Sequence, residues 1–398
     1  MRILLRALTM AALVVSTGCA GSHIASVPSG ERALTPQLNS TGPGPSTLYV
    51  SGEGAVYAYD LGASGDAAPI SKTGGYYYQS GGSNGAKAAI AGIATNAHGD
   101  LVVVQNFRTP QGDGNSCEII FIPARTSQSA ANSASGPCNA NSNLHSTGIF
   151  APTSTTTGAA IGVTFTGPGT GATPAPTAFG DDIDVLMHFI PSGNTNAPSC
   201  NDDTADHYEV DRYRVSSGTI TPTDCIPLDQ GDTAVYHAVA GSVNGAIFTD
   251  YSLQGSDTIE RYDGVNNPPT HTGSIPGAGP LAVSANPITN TGYRVVASKV
   301  GGSTTIYSFK VGSGGTMSFT HALGTFSNSV GALAVDNSGN IYVGVNQPNG
   351  VTKVKVYGPA KTEATDPDYI LNNPVRRPNP AASPAAKITG IAIQHQST

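Results

Sequence analysis

The most constraining feature of this 398-residue sequence is a unit that it repeats, plainest in residues 331–359, GALAVDNSGNIYVGVNQPNGVTKVKVYGP. Leu333 and Val335 alternate with smaller neighbours, the period-two pattern of a strand. A polar break follows, Asp336-Asn337-Ser338-Gly339-Asn340, whose glycine offers the positive φ of a tight reversal. Ile341, Val343 and Val345 make a second strand, and residues 351–357 a third. Three such strands cannot bury their faces and leave two open edges, so the unit needs copies of itself.

The chain supplies them. Residues 91–96, 101–104 and 118–122 repeat the pattern; 161–165, 182–189 and 208–215 repeat it around a Gly/Pro/Thr-rich insertion. Residues 236–240, 245–249 and 258–262 form the next copy, and 281–284, 293–297 and 304–311 the one after. An aromatic closes the third strand every time: Tyr59, Phe121, Tyr213, Tyr262, Phe309 and Tyr357. The last four lie 49, 47 and 48 residues apart, which is a repeat period. Residues 48–59 hold a second and third strand without a first, and residues 388–394, ITGIAIQ, hold a first strand with nothing after it. Together they complete one unit. A period of ~40–50 residues with about four short strands each marks a β-propeller. The expected fold is all-β: a six-bladed β-propeller with four-stranded blades over residues 47–398, closed by pairing of the C-terminal and N-terminal strands. The interval from Phe121 to Tyr213 has room for a seventh blade but offers one inner-strand candidate, which favours six.

Composition agrees. Gly 49 and Pro 28 are about a fifth of the chain, as many turns between short strands require. Charged residues are 11 %, too few for a solvated disordered chain. A formal charge of −7 without a Lys/Arg cluster leaves no electrostatic footprint for nucleic acid.

The first 18 residues read as a signal: a basic start at Arg2 and Arg6, then an apolar run over residues 7–15, too short to span a bilayer. The run ends in Ser16-Thr17-Gly18-Cys19. It resembles the bacterial lipoprotein signal, with Ser16 where that family prefers leucine; an ordinary secretory signal is the alternative. The resemblance implies cleavage before Cys19, lipidation of that cysteine, anchoring by three acyl chains, and a membrane as partner. Ala20 after the cysteine implies the outer membrane where the cell has one. Residues 19–46, rich in Ser, Gly and Pro, read as the lipidated tether. Four cysteines remain, Cys117, Cys138, Cys200 and Cys225, an even number that in an exported chain favours disulfides. Neighbour pairing, Cys117 with Cys138 and Cys200 with Cys225, is the favoured one of three connectivities. A zinc site lacks any C-x-x-C spacing.

The repeat resembles NHL-type and gluconolactonase-like six-bladed propellers, most clearly in residues 332–343 and more loosely in 93–104. In such enzymes a glutamate, asparagines and an aspartate stand on inner strands around a metal. Here Ala94, Thr164, Ala238, Ala282, Ala334 and Ala392 occupy the inner strands, and no glutamate precedes them. Propellers usually bind ligands on the face made by the second-to-third-strand and blade-to-blade loops. That face gathers Ser51 and Glu53, Asn106 and Arg108, His188, Asp250 and Tyr251, Lys299, and Asn346 as ligand-binding candidates, with solvated turn residues as the plain alternative. Asp250 and Asn346 have the oxygen chemistry for a calcium ion, as does the acidic run from Asn201 to Glu209. Tyr76-Tyr77-Tyr78 offers rings for stacking, against ordinary packing between blades. Gly81-Gly82-Ser83-Asn84-Gly85 matches a hydrolase elbow but lies in a loop of an all-β chain, so it is read as chance. The expectation is a monomeric, lipid-anchored, non-catalytic module of the cell envelope that binds a protein or small molecule. The alternative is a metal-assisted lactonase or lyase at the channel mouth.

Overall fold

The computed structural model describes residues 47–52, 54–74, 87–96, 99–108, 115–122, 134–137, 156–166, 182–191, 207–216, 219–228, 233–242, 245–254, 256–263, 269, 271–275, 279–283, 294–298, 303–311, 316–336, 338–375 and 386–394. The signal, Cys19 and the tether lie outside them.

The described strands fall into six sheets of four. The first blade begins with β1 (Thr47–Gly52), β2 (Ala55–Asp60) and β3 (Ser71–Gly74). The second holds β4 (Lys87–Thr95), β5 (Leu101–Arg108), β6 (Asn115–Ile122) and β7 (Ala134–Pro137). The third holds β8 (Thr156–Thr166), β9 (Asp182–Pro191), β10 (His207–Ser216) and β11 (Thr219–Leu228). The fourth holds β12 (Val235–Gly241), β13 (Ala246–Leu253), β14 (Ser256–Asp263) and β15 (His271–Ile275). The fifth holds β16 (Leu281–Val283), β17 (Arg294–Ser298), β18 (Thr304–Val311) and β19 (Met317–Phe326), and the sixth β20 (Ser329–Val335), β21 (Ile341–Asn346), β22 (Thr352–Tyr357) and β23 (Tyr369–Asn372). β24 (Ile388–Gln394) returns to the first blade and pairs antiparallel with β1, Val50 facing Ile391 and Leu48 facing Ile393. Each outer strand, unmarked by any apolar pattern in sequence, adds to the third strand of its sheet.

The apolar core is divided among the crevices between neighbouring sheets. Leu48, Val50 and Tyr57 of the first blade pack with Val354, Val356 and Leu371 of the sixth, and Ile388, Ile391 and Ile393 join them. Five further clusters fill the first–second, second–third, third–fourth, fourth–fifth and fifth–sixth crevices. The arrangement is a β-propeller of four-stranded blades. It explains the recurrent aromatic, which sits on the third strand inside a crevice and is buried in all six copies. A buried phenol needs a hydrogen-bond partner. Tyr59 donates to the Pro374 carbonyl at 2.6 Å and Tyr357 to the Ala364 carbonyl at 2.7 Å. Tyr262 donates to Glu260 at 2.7 Å and Tyr213 to Asp211 at 3.2 Å. Phe121 and Phe309 carry no hydroxyl to satisfy.

Deleting residues 386–398 strips β1 of its inner neighbour and removes three isoleucines from one crevice. The expected result is loss of the cooperative urea transition followed by near-ultraviolet circular dichroism. Tyr59→Phe removes the hydroxyl that bonds Pro374 and keeps the ring, so the same transition should persist, weakened by about 1 kcal/mol.

Candidate functional site

Antiparallel pairing sets the end of each second strand beside the start of the inner strand, so both meet at one end of the blade. At that end, among the described residues, five inner strands bulge. The extra residue is Thr389 in β24, Ala91 in β4, Ile161 in β8, His237 in β12 and Gly331 in β20. A bulge re-aims neighbouring side chains and bends the strand. Counted from it, one register position recurs near the end of the second strand: Asn106, His188, Ser252 and Asn346.

Two of these are staples between blades. Asn106 donates through Nδ2 to the Ala160 carbonyl at 2.8 Å and accepts from the Ala160 amide at 2.8 Å. Asn346 does the same to Ile388, at 3.1 and 2.8 Å. Ala160 and Ile388 each directly precede a bulged residue, and the side-chain amide bonds both of its backbone groups from the neighbouring blade. The staple leaves no space for a Cβ at Gly331, which would collide with Asn346 Nδ2 and the Ile388 carbonyl.

His188 stacks on Tyr208, which is directly opposite in β10, with ring centroids 4.3 Å apart and planes 7° apart. Tyr208 continues to Tyr236 at 5.3 Å, and Tyr236 to the buried Tyr251 at 5.1 Å. His188 and Tyr251 are thus the ends of one file of rings between the third and fourth blades.

Asp250 lies elsewhere, facing the fifth blade. It is fully buried, and its Oδ2 accepts from the Gly279 amide at 2.9 Å. Its Oδ1 has no hydrogen-bond partner. Burial pushes its carboxyl up to about 8, the Gly279 and Ala238 amides pulling the other way and Asp257 adding to the rise. Near it are residues that sequence reading passed over. His237 Nε2 lies 3.0 Å from Ser252 Oγ, and Ser252 in turn donates to Asp257. Burial lowers the pKa of His237, and Asp257 opposes the shift. The five-residue offset of Ser252 and Asp257 across a hairpin was a usable signal; the bulge that aims His237 was not.

The other candidates stay apart from this group. Asn346 is in the sixth blade, and its side-chain oxygen accepts from the Ile388 amide. Counting from the bulge also places Ala240, rather than Ala238, at the position that Ala94, Thr164, Ala334 and Ala392 hold in their blades. Among the described residues, no group of three or more His, Cys, Asp or Glu is placed to hold a metal. Cys225 is disulfide-bonded. Glu53, Lys299, Cys138, Cys200, Tyr76-Tyr77-Tyr78, residues 81–85 and the acidic run before His207 lie outside the described residues, as do the side chains of Arg108 and Cys117.

No protein-family model matches the sequence, and no curated protein matches it. Solved structures do. The WD40 domain of coronin from Toxoplasma gondii is 9 % identical over 82 % of this chain and 64 % of that one, with a TM-score of 0.34. The Dos1 propeller is 10 % identical over 84 % and 68 %, TM-score 0.35. A proposed 6-phosphogluconolactonase from Bacteroides uniformis is 11 % identical over 79 % and 92 %, TM-score 0.40. The chain spans less than two thirds of the coronin domain's length. Likeness at this level concerns the fold alone.

Two outcomes follow from the geometry. Asn106→Ala and Asn346→Ala each leave a backbone N–H and C=O without their partners, so each should cost about 1–3 kcal/mol in urea unfolding. Native Asp250 holds its proton up to about pH 8, whereas the unfolded chain releases it near pH 4. Its contribution to stability is therefore full below about pH 4 and declines as pH rises through 8. Asp250→Asn should remove that decline, so melting temperatures compared from pH 5 to pH 9 should diverge in favour of the variant.

Proposed function

We propose that this chain is a lipid-anchored, extracytoplasmic, six-bladed propeller that acts as a non-catalytic binding module of the cell envelope. Its partner, a protein or small molecule, meets the end of the ring where the second strands finish. The observation that carries the reading is the division of labour at that end. Asn106 and Asn346 are spent on holding blades together, while the fourth blade keeps Ser252, Asp257 and His237 half-buried beside an exposed turn. A rigid ring with one differentiated polar site is what recognition requires, since little ordering remains to be done on binding. Export and lipidation rest on the sequence around Cys19, and the cysteine usage agrees with them.

Anchor and binding face are tested separately. Cys19→Ala should abolish palmitate incorporation and release the protein from the membrane fraction; retained labelling removes the anchor. A photo-crosslinking residue placed at exposed Gln254, in the fourth-blade turn, should give a discrete adduct in intact cells. The same residue at exposed Glu363, at the opposite end of the sixth blade, should not. Equal or absent adducts remove the binding face.

A further inference from the structure

We propose that the crevice between the fourth and fifth blades binds an organic cation, of the primary ammonium or guanidinium class, between the carboxylates of Asp250 and Asp257. The proposal rests on the binding-module reading and names the ligand class of its fourth-blade site.

Placement comes first. Asp250 and Ser252 are two residues apart on β13 and so share a face, which the Asp250–Gly279 bond directs toward the fifth blade. Across the pair, Ser252 faces Asp257 and Asp250 faces Ile259, two residues further along β14. Both carboxylates therefore stand on that face as diagonal neighbours, with ~7–8 Å between such positions in a sheet. A cationic group donating at ~2.8 Å to each side fits that span.

The second observation is what the carboxylates lack. A fully buried carboxylate oxygen without a donor is costly, and Asp250 Oδ1 is one. Several other acids have a cation beside them. Asp184 is paired with Arg212 at 2.7 Å, Asp182 with Arg214 at 2.7 Å, Asp263 with Arg261 at 2.7 Å, and Asp366 with Lys361 at 2.6 Å. Among the described residues no lysine or arginine pairs with Asp250 or Asp257. His237, the remaining titratable group of the cluster, is held toward its neutral form by burial and does not supply the charge.

The third is access. Asp250 is buried, while Ser252 and Asp257, further toward the end of the blade, are half-buried beside exposed Gln254. The Ser252 hydroxyl bonds Asp257 Oδ1 and is braced by His237 from the other side, which orients the carboxylate and leaves Oδ2 for a ligand. Gln254 itself has φ of 49°, a left-handed conformation that a non-glycine residue adopts at some cost, as recurs at binding turns. A metal ion fits this donor set less well, since among the described residues no third acidic, histidine or cysteine ligand converges on it.

The test titrates the full chain with n-butylammonium chloride, using n-butanol as the neutral isostere and sodium chloride at matched ionic strength. Saturable binding by calorimetry is expected for the ammonium alone. Affinity should rise from pH 6 to pH 9 as Asp250 gives up its proton. Asp250→Asn should weaken binding at least about tenfold and flatten that pH dependence. Asp257→Asn, at a half-buried position, should weaken it similarly and guards against a folding defect in the buried variant. Ammonium indistinguishable from sodium, or both variants binding like the parent, overturns the proposal. If that happens while the Gln254 adduct persists, the ligand class is wrong and the binding module stands; loss of both removes the module as well.

Discussion

Everything in this fold depends on β24 pairing with β1. The two strands come from opposite ends of the described chain, and neither belongs to a complete sheet without the other. Their six-position ladder supplies Leu48 and Val50 with neighbours and completes the crevice shared with the sixth blade. The pairing completes the first sheet, and its isoleucines join the apolar cluster shared with the sixth. Tyr59 strengthens the joint by reaching across to the Pro374 carbonyl. Tyr49 adds a bond from its hydroxyl to Gln394 at 3.2 Å.

A propeller has no continuous core, so adjacent blades must be held by contacts made crevice by crevice. Apolar packing does most of this, but it is non-directional and permits sliding. The side-chain amides of Asn106 and Asn346 add direction, fixing the inner strand of the next blade at the residue before its bulge. Thr164 serves near the other end, accepting from the Gly241 amide across the third–fourth crevice at 2.7 Å. Within the third blade, Arg212 bonds both Asp184 and Thr166, so its charge is taken up inside the sheet. The third and fourth blades depart from the pattern. In the third, His188 takes the staple position and stacks on Tyr208. In the fourth, the second strand reaches the fifth blade through a carboxylate instead of an amide, and Ser252, in the staple position, turns back to His237 and Asp257.

Much of this was legible beforehand. The aromatics closing the third strands marked the period because each fills a crevice between sheets, five of them the crevice before their own blade and Phe121 the one after it, a constraint local enough to survive as spacing. The half-units at the two ends pointed to each other because a lone inner strand and a pair lacking one have complementary needs. Outer strands such as Ser71–Gly74 and Ala134–Pro137 were not legible, since an edge strand held on one side needs little apolar patterning. Asn106, His188, Asp250 and Asn346 lie toward one end of their blades, where the second strands finish. What each touches was not legible, because in sequence they look alike, as polar groups at strand ends.

The sequence by itself determined the strand periodicity, the four-stranded unit, the crevice aromatics and the partnership of the two chain ends, because each follows from burying one face of a sheet. Only the tertiary structure decided which polar group does what. A bulge shifts register by one residue, and that shift exists only once two strands are paired. It placed Ser252 rather than Asp250 in the staple position, brought His237 against it, and left the Asp250 carboxylate buried with one oxygen unanswered.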